Sequence, residues 1–235
     1  MKKGNWVGVL PFYLLVVIIT ITIASGTSYS VTTAVQRTAV ERENVIVIDA
    51  GHGGVDGGAT SCTGVLESQI NLEIALKLND LMHLLGHKTV MIRMTDISVY
   101  TQGQTIAAKK VSDLKERVRI VNETEDALLV SIHQNTFSDS RYGGAQVFYA
   151  QTEESQKLAQ LLQQNLISIL NPDSNRKAKK ADGVYLMEHI EKTGVLVECG
   201  FLSNVEEEAK LRDSTYQKML CCVIAATVSS FLSNT

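Results

Sequence analysis

Residues 45–49 read Val-Ile-Val-Ile-Asp, and the chain passes directly into Ala50-Gly51-His52-Gly53-Gly54. A β-branched run with no polar face, closed by glycines, fits a strand covered on both sides of a sheet. Further runs follow at Lys88 to Arg93, Ala127 to Ile132, Ala145 to Tyr149 and Gly194 to Glu198. The segments between them carry apolar residues at helical spacing. A first helix is expected from Ser68 to Leu85, with Leu72, Ala75, Leu76, Asn79, Met82 and Leu85 on one stripe and Gly86 as its stop. Residues 94–110 read as irregular, and a second helix is expected from Val111 to Asn122 with Ser112 as N-cap. A third runs from Glu153 to Leu170, ended by Asn171-Pro172, and a last from about Thr215 to Leu232. Alternating strands and helices predict a single α/β domain: a mainly parallel or mixed sheet with helices on both faces.

The first residues say something different. Lys2 and Lys3 precede an uncharged, strongly apolar run from Trp6 to Ala24, and the next charge is Arg37. A basic start followed by such a run is an export signal, with the lysines on the cytoplasmic side. At about 19 residues the run suits either a cleaved signal peptide or an uncleaved membrane anchor. The expected organisation is therefore a signal segment over 1–26, a Ser/Thr-rich linker over 27–43 and a folded domain over 44–235. The formal net charge of −3 argues against a nucleic-acid partner. Four cysteines (Cys62, Cys199, Cys221 and Cys222) form no C-x-x-C pair, so no disulfide framework is indicated. Cys221 and Cys222 read as small buried hydrophobes.

Three polar residues follow apolar strand runs: His52, His133 and Glu198. In open α/β sheets, ligands bind outside the carboxyl ends of the strands. Glu67 stands at the start of the first helix, after a glycine-rich loop that returns the chain over the sheet. Two histidines and a carboxylate suit a catalytic zinc site that leaves one position open to water. A second carboxylate, not bound to metal, would then carry protons, and Glu198 fills that place. A lone histidine at a strand end is more often a hydrogen-bonded structural residue; two together shift the balance toward a site.

The motifs themselves are more specific than this spacing. Val45 to Gly54 with Asp56-Gly57-Gly58-Ala59 resembles the opening motif of the zinc-dependent N-acetylmuramoyl-L-alanine amidases of type 3. Gly64-Val65-Leu66-Glu67 with Asn71-Leu72 resembles the second motif, and Ser131-Ile132-His133-Gln134-Asn135 the third. Val195 to Asn204 resembles the fourth. The resemblance spans residues 44–232 and implies one Zn2+ held by His52, Glu67 and His133, with Glu198 as general base and acid. It also implies a peptidoglycan substrate, glycan strands bearing stem peptides, cut between N-acetylmuramic acid and L-alanine. Gln134 departs from the small residue that many relatives carry there, and is expected to reshape the groove. Arg117 fits the family pattern as a structural or substrate-positioning residue. A short chain without wall-binding repeats resembles the germination-specific amidases of spore formers, which strip peptides from cortex so that muramic-δ-lactam can form. An accessory protein is a further expected partner, as is a membrane if the N-terminal segment stays uncleaved.

Other readings keep a place. The family also includes vegetative amidases for cell separation and wall turnover, and the fold can serve a binding protein without catalysis. A zinc peptidase acting within the stem peptide would use the same chemistry. Among rival ligands, His83 and His87 have i, i+4 spacing, but Leu84 stands where a zinc helix needs glutamate, and Gly86 separates them. His189 reads as solvent-exposed in a loop. Cys62 and Cys199 lie near motif residues but are not needed to complete an open site. Arg176 to Lys180 is a basic run expected in a solvated loop.

Overall fold

A computed structural model of the chain describes residues 44–234; the expected signal segment and linker lie outside the described residues. One six-stranded sheet runs through the domain, and its strands are numbered β1 to β6 in chain order: Val45–Ala50, Lys88–Met91, Ala127–Asn135, Gln146–Tyr149, Lys179–Lys180 and Thr193–Phe201. The order across the sheet is β2-β1-β3-β6-β4-β5. β2, β1, β3 and β6 are mutually parallel, whereas β4 runs antiparallel to β6 and β5 lies parallel to β4. The helices, numbered likewise, are α1 (Glu67–Leu84), α2 (Ile106–Glu123), α3 (Glu153–Leu170), α4 (Tyr185–His189), α5 (Val205–Arg212) and α6 (Ser214–Ser233).

Because side chains alternate along a strand, β1 feeds two cores. Ile46, Ile48 and Ala50 pack with residues of α1, α3, α5 and α6 on one face. Val47 packs on the other face with Val121 of α2 and with Leu186 and Met187 of α4. Both faces are thus covered, which is why the strand carries no polar alternation.

The expected α/β architecture is the one observed, with differences at particular elements. In α1 the buried stripe runs through Ile70, Ile74 and Leu78, together with Ala75, Asn79 and Met82. Leu72 and Leu76 are only half-buried and Leu85 is exposed, so the inward face is rotated from the one expected. α2 begins at Ile106, five residues before the expected start. Thr105 is its N-cap, its side chain accepting from the Ala108 N–H. Ser112 is no cap; its hydroxyl accepts from the backbone N–H groups of Thr101 and Gln102 and so ties the preceding loop to the helix. The first turn of α2 was illegible because Ile106 is 71% exposed and gives no apolar stripe. α5, with its run of three glutamates, has no stripe either; Asn204 announces it by accepting from the N–H groups of Glu206 and Glu207. Cys221 is buried as expected, but Cys222 is exposed.

Asp49 breaks the apolar run of β1 on the face that meets α2, and is itself buried. The Arg117 guanidinium from α2 donates to Asp49, and its Nη1 also donates to the carbonyl of Ala50 at 3.1 Å. Its Nη2 donates to the carbonyl of His52 at 2.6 Å, and its Nε to Asp113 at 2.6 Å. Arg93, also buried, donates to Ala50 O at 2.8 Å, Gly51 O at 3.0 Å and Ser68 O at 2.8 Å. Two buried guanidiniums therefore collect three successive carbonyls where the chain leaves the sheet. Arg117 is structural, as one of its two expected roles had it. Truncating one partner of a buried ion pair strands the other charge. Arg117→Ala is expected to destabilise the domain by roughly 3–5 kcal/mol in urea unfolding; a loss under 1 kcal/mol would mean the pair holds nothing up.

Candidate metal centre

β1 pairs with β3 as far as Ala50 beside Ile132. β3 and β6 continue past that point, with His133 opposite Glu198 in the parallel register. His133 and Glu198 therefore sit within strands, not beyond them as the sequence reading placed them. They are uncovered because β1 has already turned away. Only His52 lies past its strand, and it holds a left-handed φ of 61°, uncommon for any residue but glycine. Arg117 on its carbonyl fixes that conformation, and strain of this kind gathers at functional sites.

Two glycines let the groups converge. A Cβ on Gly51 would fall 2.1 Å from Nε2 of His133, and one on Gly58 would fall 2.6 Å from both Oε2 of Glu67 and Cδ2 of His52. Glu67, the first residue of α1, is 3% exposed. Its Oε1 lies 2.9 Å from Nδ1 of His133 and accepts from the Gln134 N–H and the Asn71 amide, each at 3.1 Å. Its Oε2 lies 3.2 Å from Nε2 of His52 and accepts from the Ala59 N–H at 3.0 Å. The two imidazoles meet edge to face, centroids 4.9 Å apart. One donor atom from each of His52, Glu67 and His133 lies within 4.8 Å of the others.

Outer partners set these groups. Asp56 accepts at 3.0 Å from Nδ1 of His52, and Lys110 reaches Asp56 at 3.2 Å. This leaves Nε2 of His52 facing Glu67. Asn71 is itself held by the Gln134 side-chain amide at 3.2 Å. Gln134 is thus buried and braces the carboxylate from beneath rather than reshaping a groove. Asp56 and Asn71 were visible as motif letters, but nothing in the sequence said what they touch. Arg93 carried no signal at all.

The two carboxylates are pushed in opposite directions. Burial favours the neutral form of Glu67, but hydrogen bonds from His133 and His52 outweigh it and hold that carboxyl well below the usual range. Burial alone would lower His52; hydrogen bonding and charge from Glu67, with Asp56 adding, raise it. Glu198 is pushed up to about 7, first by burial and then by the Glu67 charge, with His133 and His52 opposing. Its Oε2 is buried and has no hydrogen-bond partner. Two imidazoles and a desolvated anion pointing inward, with Asp56 fixing the His52 ring from behind, match the donor set of a hydrolytic metal centre and the carboxylate that orients its histidine. The residues fit a small divalent cation.

Rival groups stay apart from this cluster. His83 and His87 bond separately, to Thr89 and Ser229 respectively. His189 closes the short α4 rather than lying in a loop, and its Nδ1 sits 2.8 Å from Tyr185 O. Cys62 is exposed, and Cys199 is a buried thiol whose pKa burial drives upward. The basic run is not all loop, since Lys179–Lys180 forms β5.

Residues 46–230 match the family profile of N-acetylmuramoyl-L-alanine amidases. The chain belongs to that family. It is 37% identical over 175 residues to the germination-specific N-acetylmuramoyl-L-alanine amidase of Bacillus subtilis, covering 74% of this chain and 73% of that protein. It is 30% identical to the LytC amidase of the same organism, across 73% of this chain but 32% of LytC. In structure it resembles the CwlD amidase of Clostridioides difficile, solved in complex with the GerS lipoprotein. That likeness has a TM-score of 0.78 and 36% identity over 82% of this chain and all (100%) of CwlD. An amidase of Clostridium difficile 630 matches with a TM-score of 0.71 at 28% identity, over 83% of this chain and 99% of that one. The chain is an enzyme, and its reaction is hydrolysis of an amide bond in peptidoglycan.

The raised Glu198 has a measurable sign. An unfolded chain ionises this residue near 4.5, whereas the folded chain keeps its proton up to about 7. The native state binds the extra proton between those values, so stability falls as pH rises through that window. With a chelator present, Glu198→Gln is expected to remove that loss and to exceed the unaltered chain at pH 8 by roughly 3 kcal/mol at most. Equal urea midpoints at pH 8 would show that Glu198 carries no such burden.

Proposed function

We propose that the enzyme is a zinc amidase in which His52, Glu67 and His133 hold one Zn2+ and Glu198 carries the proton. The observation that carries this reading is the buried, unpartnered Oε2 of Glu198 on the rung beside His133, facing a ready-made His-Glu-His cluster. The substrate is the bond between N-acetylmuramic acid and L-alanine. The relatives named for germination and for the GerS complex support a role on spore cortex and an accessory protein as partner. The lysine-led apolar segment supports export, with residues 44–235 as the catalytic domain.

When bound, zinc supplies Lewis acidity, polarising a carbonyl and making water a competent nucleophile near neutral pH. Everything else falls to the chain. Glu198 takes the proton from the water as its oxygen attacks the lactyl carbonyl carbon. The C–N bond then breaks, and Glu198 returns the proton to the departing nitrogen of L-alanine. An amine leaves poorly unless protonated, so the same carboxyl serves both steps. A pKa lifted by burial toward about 7 suits a group that must accept and donate near neutrality. Asp56 holds the His52 ring in one orientation, and Asn71 with the backbone of Gln134 and Ala59 holds Glu67. The glycines around His52 keep the floor low where a bulky sugar-peptide approaches.

Purified cortex and vegetative peptidoglycan, digested by the full chain and read by mass spectrometry, tests this directly. Free stem peptides beginning in L-alanine are expected, lost with a chelator and restored by zinc. L-Alanine left on the sugar would identify a peptidase instead. Glu198→Gln is expected to keep its zinc and lose about 10²-fold or more in rate. Asp56→Asn is expected to weaken zinc affinity about 10–100-fold in a chelator competition; unaltered affinity would remove Asp56 from the assembly.

A further inference from the structure

On the loop that leaves the strand of His133 stands a pair of half-exposed aromatic rings outside the metal cluster. Phe137 and Tyr142 lie on the loop that follows β3, and they are 50% and 48% exposed. Their centroids are 4.6 Å apart at an interplanar angle of 59°, so they form a notched surface. Phe201, one register pair beyond His133 and Glu198, where Asn135 meets it, lies 6.4 Å from Tyr142 and is buried beneath it. The Arg176 guanidinium covers the same Phe201 ring at 5.1 Å. The pair is therefore joined to the catalytic rung through one buried ring. Along a strand, two or three residues span about 7–10 Å, which places Phe201 roughly that far from the His133–Glu198 rung.

The loop is held, not loose. Phe137 N–H donates to Ser203 Oγ at 3.0 Å, Asn204 Nδ2 to Tyr142 O at 3.4 Å, and Gly144 N–H to Glu207 at 2.6 Å. Exposed aromatics fixed in advance cost little to use in binding. Beyond Tyr142 opens a polar basin of about 1010 Å³, bordered by Asn171, Ser174, Arg176 and Asn204. Sites for small ligands are usually 300–1,000 Å³, so the basin is at the large end, as an extended polymer requires. A pyranose offers one face of C–H groups to an aromatic ring and a rim of hydroxyls and amides to polar partners.

We propose that Phe137 and Tyr142 form a saccharide shelf that holds a glycan unit of peptidoglycan next to the muramoyl residue being cut. This rests on the amidase reading, and binding remote from the reacting bond would help orient it. The occupant is the glycan rather than the stem peptide: the exposed features are apolar ring faces, while Arg141 in the same loop is spent on Asp139.

Two measurements on the full chain test it. In saturation-transfer NMR with a peptide-free tetrasaccharide of the glycan, transfer to the sugar ring protons is expected. The double change Phe137→Ala and Tyr142→Ala should weaken binding about tenfold, and Phe137→Tyr with Tyr142→Phe should restore it. In kinetics, the alanine pair should raise KM about tenfold more on polymeric glycan than on a single muramoyl-peptide. Equal tetrasaccharide binding by the parent and the alanine pair would overturn the shelf. So would a KM rise that follows stem-peptide length instead of glycan length. Ring-dependent saccharide binding in a chain that hydrolyses nothing would leave the shelf standing and sink the amidase reading instead.

Discussion

The architecture of the site hangs on the capture of backbone carbonyls by Arg93 and Arg117. Where β1 leaves the sheet, the two arginines take the carbonyls of Ala50, Gly51 and His52, and the Asn71 amide shares that of Gly51 at 3.2 Å. The two guanidiniums supply donors in a fixed fork geometry, and Arg117 is itself neutralised by Asp49 and Asp113. That capture lets His52 occupy its left-handed conformation and turns its ring toward Glu67. It also ties β1 to the first turn of α1 through Ser68, so that the strand end bearing one histidine and the helix start bearing the carboxylate move as one body.

On this frame the protein separates two glutamates by surroundings alone. Glu67 is buried but receives five hydrogen-bonding partners and stays an anion. Glu198 is half-buried, but its Oε2 is buried without a partner, and it keeps its proton to much higher pH. Pairs of titratable groups driven apart in this way mark acid–base chemistry. The driving force here is the difference between a carboxylate ringed by hydrogen-bond donors and one whose buried oxygen has none.

Much of this was written locally in the sequence. Apolar β-branched runs gave the central strands β1, β3 and β6, and Gly86 gave the end of α1, because burial on two faces and a positive φ leave few residue choices. The two-lysine edge strand β5 carried no such run. His52, Glu67, His133 and Glu198 were expected together through the four motifs that resemble the amidase family. The structure brings the first three into one cluster, with Glu198 on the rung beside His133. What was missed depends on partners distant in the chain. Thr105 caps a helix whose first turn faces water, so no periodicity announced it. Asn71 and Asp56 acquire meaning only from Glu67 and His52, and Gln134 points under the site rather than into a groove because strand alternation puts it opposite His133. Arg93 is a lone arginine after a strand, and local pattern does not distinguish it from a solvated one.

Glu67 and His133 are separated by 66 residues, and their approach requires β1, β3 and α1 all to be in place. In an unfolded chain these donors do not form a set, so capture of an ion belongs to the late, non-local steps of folding. First-row metals rank by affinity in an order that a His-Glu-His site alone does little to overturn. A cation taken up by these donors would bind the folded chain and not the unfolded one, so its loss would lower the stability of the whole domain.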